Sequence, residues 1–162
     1  PADGQGEKLV YANKDATNGQ LWTAVVAGSS AQLQLTVPAG RAADVELELV
    51  HVGQGYRGFG VTARNYRSGS CNMDVACLAA NDSWNEQRRS VGTFTIDGAD
   101  ICSGSLVNNT HNNRRMLFAT ATHCGVPDDT TAARVVMYWN YESATCRTPG
   151  STASGTALPN VS

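Results

Sequence analysis

Two short apolar stretches decide the fold of this chain: CSGSLV at 102–107 and MLFATATHC at 116–124, joined by the polar residues 108–115. Each stretch has the length and apolar content of a β-strand, and a polar connection between two strands is typical of an antiparallel hairpin. A cysteine lies near the outer end of each strand, and pairing brings those ends together. A disulfide between Cys102 and Cys124 is therefore geometrically reasonable, and His123 lies directly beside it.

The composition of the whole chain favours an all-β fold with enough apolar material for a core. Of the 162 residues, 41% are hydrophobic and only 16% are charged, which is too little charge for a disordered tail. The 16 glycines indicate many turns, and valine and leucine recur in short alternating runs. The length suits one domain or two small ones.

Charge and hydropathy argue against two classes of partner. The formal net charge is −2 and the basic pairs Arg88–Arg89 and Arg114–Arg115 are short, so we expect solvated surface there and no nucleic-acid binding. No segment has the length and apolarity of a membrane span, so no membrane partner is expected. No signal-like apolar stretch follows Pro1, so we expect processing or truncation to have set this start.

Residues 1–60 contain no cysteine and are predicted to form a small β module. Strands are expected at 20–26, 31–37 and 44–49. Apolar and polar residues alternate along these stretches, most clearly at 31–37 and 44–49. Nothing in this module resembles a catalytic motif. His51 lies in a short apolar run and is expected to be a structural or surface histidine.

The pattern breaks after Gly53 in a glycine-rich stretch, and we interpret 61–67 as a linker. Its basic residues offer a processing site to a trypsin-like enzyme, with an uncleaved loop as the alternative. From Ser68 the chain is predicted to form strands at 91–96, 101–107, 116–121 and 134–141, with a helical turn at 83–89. A loop by composition follows Cys146, so we expect 68–162 to be a truncated domain.

All five cysteines lie in the second part of the chain, at 71, 77, 102, 124 and 146. None forms a CxxC pair, so wide spacing in a β-rich chain indicates disulfides and an oxidising compartment rather than a metal site. The odd count leaves one cysteine free or paired outside these residues. Two bonds among five cysteines can form in about 15 ways.

His123 is the candidate catalytic residue. A histidine that acts as general base needs a fixed position and tautomer, because it takes a proton from a hydroxyl and later returns it to a leaving group. A disulfide beside the ring helps to provide that rigidity. A histidine next to a cysteine is by itself a weak signal, but the order Cys-x-Gly-Ser-Leu, apolar strand, Ala-x-His-Cys is far more specific.

This order resembles the trypsin-like, chymotrypsin-fold serine peptidases, in which a Cys-Gly-Gly-Ser-Leu strand leads to Ala-Ala-His-Cys. The closer resemblance is to bacterial lysyl endopeptidases, and it extends over roughly 68–146. The matching segments are SGSCNMDVAC (68–77), SVG (90–92), CSGSLVNNT (102–110), THCG (122–125) and VMYWNYE (136–142) through Cys146.

The resemblance implies a role for each matching position. His123 is expected to be the general base of a Ser-His-Asp triad, in the first β-barrel half of a chymotrypsin-like double barrel. Disulfides Cys102–Cys124 and Cys77–Cys146 are implied, and Cys71 is expected to pair with a cysteine far downstream. Residues 1–60 are expected to be the C-terminal part of the propeptide of a zymogen.

The implied function is peptide-bond hydrolysis after lysine by a secreted, extracellular bacterial enzyme. Its partners are a protein or peptide substrate and the missing C-terminal half of the same protease domain. No cofactor or metal is implied. No nucleophile-loop serine or orienting aspartate is identifiable, and neither Asp128 nor Asp129 is assigned that role. The chain alone is therefore predicted to be inactive.

Two other readings remain open from the sequence. The first is a secreted β-rich binding module or a catalytically dead protease homologue, which Trp139 and Tyr141 would suit if they were exposed. Core or inter-strand packing is the favoured interpretation of both aromatic residues. The second, more distant reading is a metal hydrolase in which His123 joins His111 or Asp128, although the spacing matches no zinc motif.

Overall fold

The computed structural model describes residues 8–16, 18–26, 30–53, 73–98, 100–143, 145–146 and 157–158. Its largest element is a four-stranded antiparallel sheet in the order β3-β2-β1-β4. The strands are β1 (Val91–Ile96), β2 (Asp100–Val107), β3 (Leu117–Thr120) and β4 (Val135–Trp139). A second sheet pairs β5 (Glu142–Ser143) with β6 (Ala157–Leu158). The predicted all-β class is confirmed.

Helices are short. Within the described ranges, the α-helices are α1 (Trp84–Gln87) and α2 (Asp129–Ala132). Single 3-10 turns cover Asn13–Asp15, Ala42–Asp44, Val75–Cys77, Arg88–Ser90 and Thr122–Cys124. The helical turn predicted at 83–89 is confirmed by α1 and the 3-10 turn after it. In the part of the chain that the structure describes, no helix has both the length and the apolarity to cross a lipid bilayer.

The turns of the sheet follow from local sequence. Asp97 and Gly98 connect β1 to β2 with φ values of 55° and 68°, a conformation that glycine and aspartate tolerate best. Arg134 donates to the Asp97 carboxylate at 2.7 Å and so ties this turn to the start of β4. The polar connection between β2 and β3 is closed by side-chain hydrogen bonds from Asn108 to Asn112 and from Asn109 to Asn113.

One face of the sheet forms the core. Phe94 and Ile96 of β1 are buried with Cys124, and partly buried apolar side chains pack around them: Cys102, Phe118, Val126, Val135 and Met137. The rings of Phe94 and Phe118 meet edge to face at 5.9 Å. Burial of these side chains is the main favourable contribution to folding of the sheet.

A pair of glycines makes room for the aromatic rings on this face. Gly92 of β1 lies directly opposite Gly104 of β2. A Cβ at Gly104 would lie 2.5 Å from the Phe118 ring, and one at Gly92 would lie 3.0 Å from the Trp139 ring. Phe118 and Trp139 then meet edge to face at 5.9 Å, so rings from both edge strands contact each other across the two glycines.

The strands predicted at 20–26, 31–37 and 44–49 do not form in the described residues, where 30–53 contains only the 3-10 turn Ala42–Asp44. Leu33 and Leu49 are exposed, at 73% and 77% of their surface. The alternating pattern reports which side chains share a face, but a strand also needs a neighbouring strand to pair its backbone groups and bury that face. The strand predictions for this region were therefore wrong. The domain boundaries at 60 and 67 lie in residues outside the described ranges and stay a prediction.

Candidate active site

His123 occupies the middle of a single 3-10 turn, Thr122–Cys124, that follows β3. The N–H of Cys124 donates to the Ala121 carbonyl at 2.9 Å and the N–H of Gly125 to the Thr122 carbonyl at 3.2 Å. Gly125 adopts φ of 74°, the left-handed conformation that ends such a turn without strain only for glycine. The chain is thus fixed on both sides of the imidazole.

A disulfide anchors this turn to the sheet. Cys102, on the second strand, is bonded to Cys124, with the two Cα atoms 5.8 Å apart. Cys124 is buried and Cys102 partly buried in the core beside Phe94, whereas His123 is exposed. The disulfide expected from the hairpin is present, and it places a solvent-accessible imidazole next to a rigid, buried anchor.

A hydrogen bond holds the end of β3 to β2 just before the turn. The Thr120 hydroxyl donates to the Ser103 carbonyl at 2.8 Å, one step beyond the last backbone pair of these strands, Gly104 with Thr120. The segment that carries His123 is therefore held by a strand pair, a side-chain hydrogen bond and a covalent bond.

The second expected disulfide, between Cys77 and Cys146, is also present, with Cα atoms 4.6 Å apart. It joins the 3-10 turn Val75–Cys77 to the chain just after β5. Cys71 lies outside the described residues, so its pairing stays a prediction.

Neither aspartate that follows the histidine is placed to orient it. The Asp128 carboxylate is the N-cap of α2 and accepts the Thr131 backbone N–H at 2.8 Å. That backbone hydrogen bond, with a further one from the Thr131 side chain, lowers the pKa of Asp128 below its ordinary value. Asp129 is the first residue of the same helix. Among the described residues, none donates to or accepts from the His123 ring in a hydrogen bond.

The serines of the matching segment lie on the other side of the sheet from the anchor. Side chains alternate between faces along a strand, so Ser103 and Ser105 are on the face opposite Cys102. Ser103 pairs across from Thr93 and Ser105 from Val91 of β1. This placement agrees with assigning neither as a nucleophile.

A metal reading of the histidine is not supported by the geometry. Within the described residues, one group of three ligating side chains comes together, Cys102, His123 and Cys124, with their ligand atoms within 4.8 Å of one another. The two sulfurs are bonded to each other, however, and a metal needs cysteine as thiolate. His111 and Asp128 do not join this group.

Two other features of the sequence are settled by packing. His51 lies on the surface with its ring 5.6 Å from that of Trp22, as expected for a surface histidine. Trp139 packs on Phe118 and is half-buried, and burial raises the pKa of the half-buried Tyr141. Trp139 is therefore engaged in inter-strand packing, and Tyr141 is half-buried rather than fully exposed.

The capping role of Asp128 was not anticipated, although Asp128-Asp129-Thr130-Thr131 carries the usual signal of an aspartate that opens a helix. The glycine pair Gly92 and Gly104 was also missed. No local signal marks it, because the two residues become neighbours only through strand register.

Comparison with known proteins agrees with the motif order and the geometry. Residues 66–161 match the family model described as lysyl endopeptidase, C-terminal domain. A lysyl endopeptidase from Pseudomonas aeruginosa is 32% identical over 168 aligned residues, which cover 92% of this chain and 35% of that relative. The chain thus spans about a third of the length of this curated relative.

These similarities put the chain among the peptidases and their relatives. More particularly, it belongs to the lysyl endopeptidase family, through the C-terminal domain that the family model describes.

Proposed function

We propose that the protein of which this chain is part is a secreted bacterial serine endopeptidase that cleaves after lysine, with His123 as its general base. The observation that carries the proposal is an exposed histidine, in a segment of the lysyl endopeptidase family, on a turn that a buried disulfide anchors. The relative's name supplies the expectation of lysine at the cleaved bond. The two disulfides favour an extracellular location, since such bonds persist in oxidising compartments.

In the proposed reaction, His123 accepts the proton of a serine hydroxyl as that oxygen attacks the substrate carbonyl. The imidazolium then donates this proton to the leaving amine, the peptide bond breaks, and an acyl-enzyme remains. His123 next removes a proton from water as that water attacks the acyl ester. The imidazolium then returns the proton to the serine oxygen, so the acyl group leaves as the carboxylic acid product and the free serine hydroxyl is restored. Rigid placement matters because the same ring must reach two oxygens and a nitrogen within hydrogen-bond distance.

The nucleophile and the orienting carboxylate are proposed to lie in parts of the longer protein that this chain does not contain. The support is local: Ser103 and Ser105 are on the face away from Cys102, and Asp128 is engaged as a helix cap. Residues 68–162 would then form the first half of a chymotrypsin-like double barrel and would not hydrolyse peptides alone. The other half supplies the serine, the aspartate and the pocket for lysine.

The region before 61–67 is proposed to be the end of a propeptide, removed by cleavage after a basic residue such as Arg67. The start of the family match at residue 66 supports a boundary there. Cys71 is proposed to pair with a cysteine of the second half, which accounts for the odd cysteine count in this chain.

The test uses the full-length protein and two histidine variants. His123→Ala should abolish labelling by a fluorophosphonate probe and lower kcat/KM on a lysyl peptide by at least about 10⁴-fold, as for the loss of a triad member. His111→Ala is the matched control, because His111 is also exposed but lies in the connection between β2 and β3, and it should label normally. A parallel arginyl peptide tests specificity.

Three outcomes are informative. Full labelling of His123→Ala would exclude this residue as the base. A full-length wild-type protein that never labels would favour a catalytically dead homologue. Equal cleavage after lysine and arginine would refute the proposed specificity for lysine but would not contradict the proposed peptidase activity.

A further inference from the structure

Lysine and arginine are unevenly distributed along this chain. Lys8 and Lys14 are its two lysines, and the other ten basic residues, all after residue 40, are arginines. Residues 66–161, which match the family model, therefore contain no lysine at all. Lysine is among the commonest residues of globular proteins and supplies the same surface charge as arginine, so charge alone does not account for this choice.

The arginines of this segment differ in how easily a peptidase can reach them. The 3-10 turn Arg88–Ser90 holds one arginine pair in helical backbone. Arg114 and Arg115 lie instead in the connection between β2 and β3, where residues 110–116 are all exposed and form neither helix nor strand. Peptidases cut preferentially at exposed loops of polar residues, so the second pair is far more accessible to cleavage than the first.

A cut after Arg114 or Arg115 would break the hairpin that carries the candidate base. In the described sheet β3 is an edge strand that pairs with β2 alone, and the connection between the two strands closes this hairpin. The Cys102–Cys124 bond spans the cut and would keep the pieces joined, but only the four residues of β3 would then hold the start of the His123 turn to the sheet. Cleavage here would therefore loosen the proposed active site.

We propose that this segment is protected from cleavage by other copies of the same enzyme, because arginine rather than lysine stands at its exposed basic positions, above all at 114 and 115. The inference rests on the proposed function, cleavage after lysine, and adds that a second copy of this segment is not a substrate. The arginine guanidinium is planar and broad, whereas the lysine ammonium is compact, so a pocket shaped for lysine can reject arginine. We expect cleavage after arginine to be at least about 100-fold slower than after lysine.

The test uses full-length His123→Ala protein as an inactive substrate and a small amount of active wild-type protein as the enzyme. The substrate is prepared unchanged at 115 and with Arg115→Lys. After brief incubation and reduction of the disulfides, mass spectrometry quantifies the fragments that end at positions 114 and 115. The Arg115→Lys substrate should be cut after 115 at least about 100-fold faster than the unchanged substrate is cut after either arginine. Arg89→Lys is the matched control, because Arg89 is also exposed but lies in a helical turn, and it should stay uncut.

Each other outcome counts against the proposal. Comparable cleavage after arginine in the unchanged substrate would refute protection by arginine. An uncut Arg115→Lys substrate would show that the shape of the connection protects it, and equal cleavage of the Arg89→Lys substrate would refute the β2–β3 connection as the vulnerable position. A lysyl peptide in the same solution separates the two proposals: if it is hydrolysed while Arg115→Lys stays uncut, only the self-protection fails, whereas no hydrolysis of the peptide refutes the proposed function and this inference with it.

Discussion

Removal of the Cys102–Cys124 disulfide should lower the proposed peptidase activity far more than removal of the Cys77–Cys146 disulfide, although the two removals should lower the unfolding free energy by similar amounts. The perturbation is the double substitution Cys102→Ala and Cys124→Ala, in which alanine leaves no unpaired polar group in the core. The cysteines are 22 residues apart, and the loss of this closed loop costs about 3.4 kcal/mol of unfolding free energy at 25 °C in the chain-entropy model. Lost packing of the buried sulfurs adds about 1 kcal/mol.

The matched control is Cys77→Ala with Cys146→Ala. That pair is 69 residues apart, which gives about 4.4 kcal/mol in the same model. Cys146 is exposed, so little core packing is lost with it. The two double variants should therefore be destabilised by nearly the same amount, about 4 kcal/mol, and urea denaturation followed by tryptophan fluorescence measures it.

The two variants should nevertheless differ in activity. In the full-length protein, kcat/KM on a lysyl peptide is measured at a temperature where circular dichroism shows both variants folded. Loss of the anchor at Cys124 frees the turn that carries His123, and a misplacement of about 1 Å costs about 100-fold in rate. The Cys77 and Cys146 variant should lose little, because its bond does not touch that turn. Equal activities in the two variants would refute the idea that the 102–124 bond positions the imidazole.

Two further predictions concern the sheet and the helix after the site. Gly104→Ala should lower the unfolding free energy by about 1–3 kcal/mol or more, because the added Cβ meets the Phe118 ring and a backbone carbonyl. The control Gly98→Ala has open space around the added Cβ and should lower the unfolding free energy by only about 1 kcal/mol, because of its positive φ. Equal losses in urea denaturation would contradict the packing described. Asp128→Asn keeps a cap for α2 but removes a carboxylate whose pKa is lowered by Thr131. Because the pKa of Asp128 is lower in the folded state, its carboxylate stabilises the wild type at pH values above the unfolded-state pKa of about 4, and this stabilisation is lost as pH falls through the folded-state pKa. The difference in unfolding free energy between the wild type and Asp128→Asn should therefore shrink below about pH 4. A difference that does not change with pH would contradict this prediction.

Much of the sheet is readable from local pattern. The strands at 91–96, 101–107 and 116–121 were predicted within a residue or so of β1, β2 and β3, because each is a short apolar run bounded by turn residues. The same reasoning failed at 31–37 and 44–49, which alternate just as well. The two regions differ in strand pairing, because β1 pairs with a strand on each side, whereas the described residues 30–53 pair with none.

The sequence by itself indicated His123 as the candidate base through the order of its motifs. It also indicated the anchor, since two strands of a hairpin need only pair to bring Cys102 and Cys124 together. Tertiary structure alone decided which groups surround that pair. The contact of Val25 with Tyr138 spans 113 residues, and the meeting of Phe118 and Trp139 over two glycines depends on the register of four strands. Such contacts leave no local signal, because they arise from how distant segments pack and not from the spacing of residues along the chain.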